Sequence, residues 1–308
     1  MSTPHADSVV SLDSRRSFTI GGSEAAAACG LDPYRSRVML WAEKTGRVER
    51  GDSEPALWGR LLEPVIYAEL ERRGFDVMPA PADGFQDDDR PWLVGHPDGF
   101  AALEGTPALL EVKTAGTWAS REWHNGAGAP LPYLVQLHHY FELTGYSLAL
   151  LAVLIGGQRL ETRVVRRDDF AIGRIIEQEE AFLDFVKRDS PPPPDGSDSA
   201  KDALAALYPQ SVAGQAIRLN RGGYADYHAL KARKAQQAEI GRQVAELEQR
   251  LKARMGEAEA AFSPHDEIVA RWTSYDRTTI DTKALRAALP AIAQEYETTT
   301  TLRRFTLE

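Results

Sequence analysis

The segment LALLAVLIGGQRLETRVVR, Leu148 to Arg166, constrains the fold of this 308-residue chain more than any other. Leu148 to Ile155 is the longest apolar run, and it is far shorter than the roughly 20 residues that span a bilayer. An apolar run of this length bounded by turn residues reads as a strand covered on both faces. Gly156-Gly157-Gln158 then forms a hairpin turn into a second strand, Arg159 to Arg166. The chain must therefore supply helices to cover both faces of a sheet.

The rest of the pattern supplies them. Ser23 stands where it can cap a short helix, EAAAAC, and Val38 to Thr45 forms a second helix ending at Gly46. Pro55 opens a longer helix that stops at Gly74, with Leu62, Val65, Ile66, Ala68 and Leu70 recurring every three to four residues. Two strands follow, Trp92 to Phe100 and Ala108 to Thr114. A helix over Tyr133 to Thr144 and an amphipathic helix from Asp168-Asp169 to about Arg188 complete the set. The fold class is α/β (α+β), a mixed central sheet flanked by helices.

Residues 1–14 are polar and expected to be disordered, and MSTPHADSVVSLDSRR has no apolar h-region. A core is expected over 15–189. The proline-rich stretch SPPPPDGSDSA, 190–200, reads as a linker to an extension over 201–308. In that extension a long helical stretch carries Ile240, Val244, Leu247, Leu251 and Met255 at heptad-like spacing and is expected to fold as a helical hairpin. Between Lys231 and Arg254 it holds seven Lys or Arg and three Glu, the composition of a solvated face or of a flank that touches phosphate. Ile268 to Leu307 reads as a strand, a helix and a final strand.

Composition narrows the chemistry. A single cysteine, Cys29, excludes a disulfide framework, a multi-cysteine zinc site and a four-cysteine iron–sulfur cluster, and fits a reducing cytoplasm. The formal net charge of −9 argues against coating nucleic acid by bulk charge, though not against gripping it locally.

The candidate chemistry lies in GHPDGF and LLEVKTA. Residues two apart on a strand share a face, so Glu111 and Lys113 project together. Hairpin-like pairing brings Asp98 beside them. Two adjacent carboxylates repel unless a cation joins them, and hard Mg²⁺ prefers carboxylate oxygen and water. Phosphodiester hydrolysis needs an oriented water, a lowered water pKa and a neutralised phosphate. Asp98 and Glu111 would hold the metal, with the Val112 carbonyl completing its sphere. Lys113 would contact the attacking water or the scissile phosphate. Glu63, mid-helix and followed by Pro64, is an odd place for a merely solvated carboxylate and is a candidate further ligand. Gln136 and Tyr140 share a helix face and can bind phosphate.

The ordered set GGSEAAAACGLDPYRS, LWGRLLEPVI, GHPDGF, LLEVKTA and YLVQLHHYFELTG resembles the YqaJ-like viral recombinase family, grouped with lambda-type exonucleases in the PD-(D/E)XK superfamily. The resemblance runs over roughly Arg16 to Val165, and IDTKALRAALPAIAQEYETTTTLRRFTL is similar to the ending of phage members. It implies a PD-(D/E)XK restriction-endonuclease-like core. It further implies a Mg²⁺-dependent enzyme, with Mn²⁺ a substitute and one or two ions. Such an enzyme digests one strand of linear duplex DNA 5′ to 3′ and leaves a 3′ single strand for an annealing protein. Asp98 and Glu111 match the metal ligands, Lys113 the catalytic lysine, Glu63 the supporting helix glutamate, and Gln136 and Tyr140 the following helix motif. Arg16 and Ser23 match an arginine and serine that hold the terminal 5′-phosphate. Relatives form rings, so a homo-oligomer is expected, with three copies one possible count, in the cytoplasm of a bacterial cell whose gene is of phage, prophage or host origin.

His96 departs from the family pattern and reads as a structural imidazole or an auxiliary ligand. Trp41 and Trp58 read as core aromatics or as stacking platforms. Two other readings stand beside the first. One is a Cas4-like or RecB-type nuclease without its iron–sulfur cluster; the other is a catalytically silent protein that binds DNA ends.

Overall fold

A computed structural model describes residues 18–49, 51, 53–117, 123 and 128–308. It divides into two compact units, one running through Tyr208 and the other Pro209–Glu308. Arg16 and the expected disordered residues 1–14 lie outside the described residues.

The first unit opens with helices α1 (Gly22–Ala28), α2 (Arg37–Lys44) and α3 (Glu54–Arg72). Strands β1 (Asp76–Pro79), β2 (Phe85–Gln86), β3 (Val94–Gly95), β4 (Gly99–Leu103) and β5 (Thr106–Ala115) follow. Helix α4 (Leu131–Thr144), strands β6 (Leu148–Ile155) and β7 (Arg159–Arg166), and helices α5 (Asp169–Lys187) and α6 (Asp198–Leu207) complete it.

Five strands form one mixed sheet in the order β1-β4-β5-β6-β7, with β5 and β6 parallel and the other pairs antiparallel. The apolar run is the buried strand β6, and the hairpin to β7 has the sequence-expected bounds. Parallel pairing of β5 with β6 needs a crossover, and α4 provides it. Helix α4 ends at Gly145, whose φ of 75° is the left-handed conformation a helix stop requires. The β4–β5 turn is the two-residue pair Glu104-Gly105, with φ of 51° and 79°. Both values are positive, as the tight hairpin turn demands.

The two sheet faces are packed by different helices. Leu109, Leu151, Val153 and Ile155 meet Leu137, Tyr140 and Phe141 of α4 and Ile172 of α5. Leu110, Val112, Leu150 and Ala152 meet Ile66 and Leu70 of α3. Phe141 is fully buried, so truncating it to alanine is expected to cost about 3–5 kcal/mol. A further cluster joins Ile20, Leu40 and Trp41 to Phe182, Leu183 and Val186. Trp41 is therefore core, and its indole N–H donates to the Phe185 carbonyl at 3.2 Å. Trp58, by contrast, is exposed on α3.

Two edge strands, β1 and β2, carry no periodic signal in the sequence. Past the proline-rich stretch, α6 returns to the core. Ala200 and Ala203 are buried, and the Ser36 N–H donates to Ser199 Oγ at 2.9 Å. The first unit thus extends beyond the 190–200 segment where the sequence suggested a boundary.

The second unit contains one helix, α7 (Arg221–Met255), then the hairpin β8 (Ala260–Phe262) and β9 (Ile268–Arg271), then α8 (Thr282–Ala288) and α9 (Pro290–Glu295). The expected helical hairpin is absent from the described residues. Alanine-rich sequence carries α7 unbroken to Gly256, and AAF and IVAR pair as strands instead. Residues 296–308 form no strand; Pro290 starts a new helical turn in their lead-in. The last residue docks on α7, where Tyr227 Oη and Lys231 Nζ donate to the Glu308 carbonyl at 3.0 and 2.9 Å. Among the described residues no helix is long and apolar enough to cross a membrane.

Candidate active site

Asp98 is fixed from two sides. Its carboxylate accepts a hydrogen bond from the Val112 N–H at 2.7 Å, which ties it to β5. Its backbone carbonyl accepts one from Tyr67 Oη of α3 at 2.6 Å. The following residue must be glycine for this to happen. A Cβ on Gly99 would lie 2.3 Å from Tyr67 Oη and 2.3 Å from the Met78 carbonyl oxygen. Burial pushes the Asp98 carboxyl above the usual carboxylate range, with Lys113 and the Val112 N–H pulling the other way.

Glu111 and Lys113 leave β5 on the side of Leu109, toward α4. Glu111 is 1% exposed. Its Oε1 accepts from Lys113 Nζ at 2.5 Å and from Gln136 Nε2 at 2.6 Å. Its Oε2 is buried without a protein partner. Burial first, then the charge of Asp98, drives this carboxyl up to about 7 against the pull of Lys113. Burial would lower the Lys113 ammonium, but Glu111 and Asp98 outweigh it, and the net shift is upward. Lys113 stays charged and is shared between two carboxylates. Its side chain keeps 21% of its surface open, so it is the member of the pair a solvent-borne group reaches. Behind it lies an aromatic wall: Nζ is 5.4 Å from the Tyr133 ring centroid, and Trp123 stacks on Tyr133 at 5.3 Å.

Gln136 and Tyr140 do share one face of α4, but that face is buried. Gln136 Nε2 lies 3.1 Å from Tyr140 Oη, which donates to the His96 carbonyl at 3.1 Å. Their polar atoms point at Glu111 and at the backbone before Asp98. The Tyr140 ring is seated by two glycines, because a Cβ on Gly22 would lie 2.3 Å away and one on Gly95 2.8 Å away. The His96 ring is exposed and lies over Gly84.

Glu63 is half-buried and lines a cavity of about 330 Å³ with Pro64, Tyr67, Ala68, Glu71 and Pro79. Its carboxyl is raised by burial and then by Asp98, with Lys113 opposing, so it feels the same charges. Among the described residues, however, no three His, Cys, Asp or Glu side chains converge to enclose an ion. The set brought together is Asp98 and Glu111 around Lys113, with Glu63 at its margin. Two carboxylates with raised proton affinity and a leftover buried oxygen form a donor set that suits a hard divalent cation, whose remaining positions water fills.

Ser23 does not cap α1. The helix begins at Gly22, Gly21 is the cap, and the Gly21 N–H donates to Glu24 Oε2 at 3.1 Å. The helix starts early because Gly22 is the residue that can pack against Tyr140. Ser23 is left exposed. Beneath it Glu24 pairs with Lys44 at 2.6 Å and lies 3.8 Å from Arg35.

Three elements of this region escaped sequence reasoning. Tyr67 and the Trp123–Tyr133 stack reach the site through tertiary packing, with no local spacing to announce them. The third is His139, whose Nδ1 is 2.8 Å from Glu179 Oε1 and whose Nε2 is 2.8 Å from the Val94 carbonyl. Both ring nitrogens face acceptors, the arrangement of an imidazolium. Burial disfavours that charge, but Glu179 and these bonds raise the His139 pKa overall.

With this geometry in hand, the comparisons are direct. Residues 12–147 match the YqaJ-like viral recombinase domain family. The protein YqaJ of Bacillus subtilis (strain 168) is 31% identical over 291 residues, covering 93% of this chain and 90% of that protein. The chain belongs to the YqaJ-like viral recombinase family. Among solved structures, an alkaline exonuclease (LHK-Exo) from Laribacter hongkongensis is similar at 20% identity. It covers 63% of this chain and 96% of its own, with a TM-score of 0.48. A phage-related exonuclease from Haemophilus somnus 129PT is similar at 14% identity over 55% of this chain and 94% of its own, with a TM-score of 0.42.

Proposed function

We propose that this chain is a Mg²⁺-dependent deoxyribonuclease that digests one strand of linear duplex DNA 5′ to 3′. The observation that carries the reading is a buried carboxylate, Glu111, with one oxygen left over, coupled to Asp98 through a shared, partly open Lys113. Asp98, Glu111 and the Val112 carbonyl would hold Mg²⁺, or Mn²⁺ in its place, as one ion or two, with Glu63 in support. Such an ion supplies charge neutralisation at the phosphate and an acidified water.

The protein's own groups do the positioning. Gln136 holds Glu111 from behind, and Tyr140 holds Gln136 in turn. Tyr67 and the Val112 N–H hold Asp98. Lys113 presents a permanent positive charge to the scissile phosphate or the attacking water, where preorganised charge contributes most. Arg16 and Ser23 are assigned to the 5′-phosphate of the DNA end, since a guanidinium forks onto phosphate and the exposed Ser23 hydroxyl adds a donor. The partners in this reading are duplex DNA ends, further copies of the chain in a homo-oligomer, and a single-strand annealing protein, all in the cytoplasm.

Linear and circular duplex DNA, each with and without Mg²⁺, test the reading. Metal-dependent loss of linear DNA only, faster with a 5′-phosphate, is the expected result. Cleavage of circles identifies an endonuclease, and binding without cleavage identifies a silent end-binding protein. Either outcome overturns the proposal.

A further inference from the structure

Helix α7 has no buried residue among its 35. Helices in folded proteins owe most of their stability to packing an apolar face, so a helix this long with none covered implies a partner. The face is defined. Ile240, Val244, Leu247 and Leu251 are 60, 50, 61 and 42% exposed, and their 4-3-4 spacing is the seam of a two-helix coil.

The same spacing continued outward puts Gln237 and then Arg233 before the apolar block, and Arg254 after it. These polar seam positions decide what can cover it. A second copy running parallel would set Arg254 against Arg254 and Arg233 against Arg233, a like-charge clash at both ends. Running antiparallel, Ile240 meets Leu251 of the other copy and Val244 meets Leu247. Gln237 then falls opposite Arg254, where an amide oxygen can accept from the guanidinium. Four apolar layers are closed at each end by a complementary polar pair, and the two helix dipoles oppose. The flanking positions add no clash: Gly241 faces Glu248, and Gln243 faces Arg250. Three heptads laid side by side give a contact of roughly 30 Å at 1.5 Å per residue.

We infer that α7 is a self-association surface, on which a second copy of this chain docks antiparallel about a two-fold axis between Ala245 and Glu246. The inference does not depend on the nuclease reading, because its readout is mass rather than activity. It also makes a stricter demand than a homo-oligomer of any kind: the number of copies must be even.

The full-length protein, measured by sedimentation at micromolar concentration, is expected to be a dimer or a multiple of two. The double variant Val244→Lys/Leu247→Lys is expected to halve that mass while its circular dichroism stays helical. A monomer or a trimer for the native chain, or an unchanged mass for the double variant, overturns the inference. A second measurement guards against a variant that merely misfolds. In a Cys29→Ala background, Ile240→Cys and Leu251→Cys are prepared separately, then mixed and oxidised. Cross-linking should appear in the mixture and stay low in each variant alone; efficient cross-linking of Ile240→Cys by itself demonstrates a parallel pair and overturns the register.

Discussion

Helix α4 carries two buried charge pairs that look alike and behave differently. Glu111 with Lys113, held by Gln136, faces one side; His139 with Glu179 faces another. Each glutamate leaves one oxygen without a protein partner. An unsatisfied oxygen therefore does not by itself mark a site. What separates the pairs is access and company. His139 and Glu179 are closed to solvent on both members and have no second carboxylate driving them. Lys113 is open by a fifth of its surface, and Asp98 adds a charge that only a further cation relieves. The first pair staples α4 to α5 and β3; the second is prepared to receive something.

The largest expected effect tests the open pair. Lys113→Ala and Asp98→Ala should each lower Mg²⁺-dependent DNA hydrolysis by about 10²–10⁴-fold, with the melting temperature nearly unchanged. Retention of near-native activity in either variant removes the site assignment. The sealed pair should respond in the opposite currency. Glu179→Ala leaves a buried imidazolium unopposed and should cost about 3–5 kcal/mol in urea unfolding, with activity falling only as the protein unfolds. A purely catalytic loss without destabilisation would erase the contrast between the pairs.

The third effect is in pH. Glu111 titrates near 7 when folded, against about 4.3 for a free glutamate. A carboxyl raised in the folded state contributes stability that is complete below its unfolded value and lost as pH climbs through the folded one. The metal-free protein should thus lose stability on the order of 3 kcal/mol from this group between about pH 4.5 and 7. Glu111→Gln should flatten that slope, and added Mg²⁺ should reverse it, because the ion binds the deprotonated form. An unchanged slope in Glu111→Gln shows that the group does not titrate there. The smallest effect concerns Tyr67. Tyr67→Phe removes one hydrogen bond to the Asp98 carbonyl, about 1 kcal/mol, and should weaken Mn²⁺ binding measured by calorimetry about tenfold. Native affinity in that variant would make the tyrosine a packing residue only.

Legibility in the sequence followed the range of the forces involved. Strands β6 and β7 carry period and turn chemistry within their own residues, so their limits could be read directly. Glu111 and Lys113 share a face by strand geometry alone, and Gln136 and Tyr140 by helix geometry. Whether that helix face looked at solvent or at Glu111 depended on how α4 crosses the sheet, which no local pattern records. Tyr67 is 31 residues from Asp98 and Glu179 is 40 from His139. Such contacts are products of packing. Strand β1 owes its extended form to pairing with β4 and not to its own sequence, DVMP. In the second unit, apolar spacing located the helix stripe correctly but could not tell a hairpin partner in the same chain from a partner elsewhere.

The two-residue turn at Glu104-Gly105 acts as a ruler. It fixes Gly99 opposite Leu110, and so Asp98 beside Glu111. Inserting or deleting one residue between the turn and Glu111 would swing both Glu111 and Lys113 to the α3 side of the sheet, among Ile66 and Leu70. Length changes in this hairpin are therefore tolerable only in pairs, and relatives of this chain should vary the turn's residues far more freely than their number.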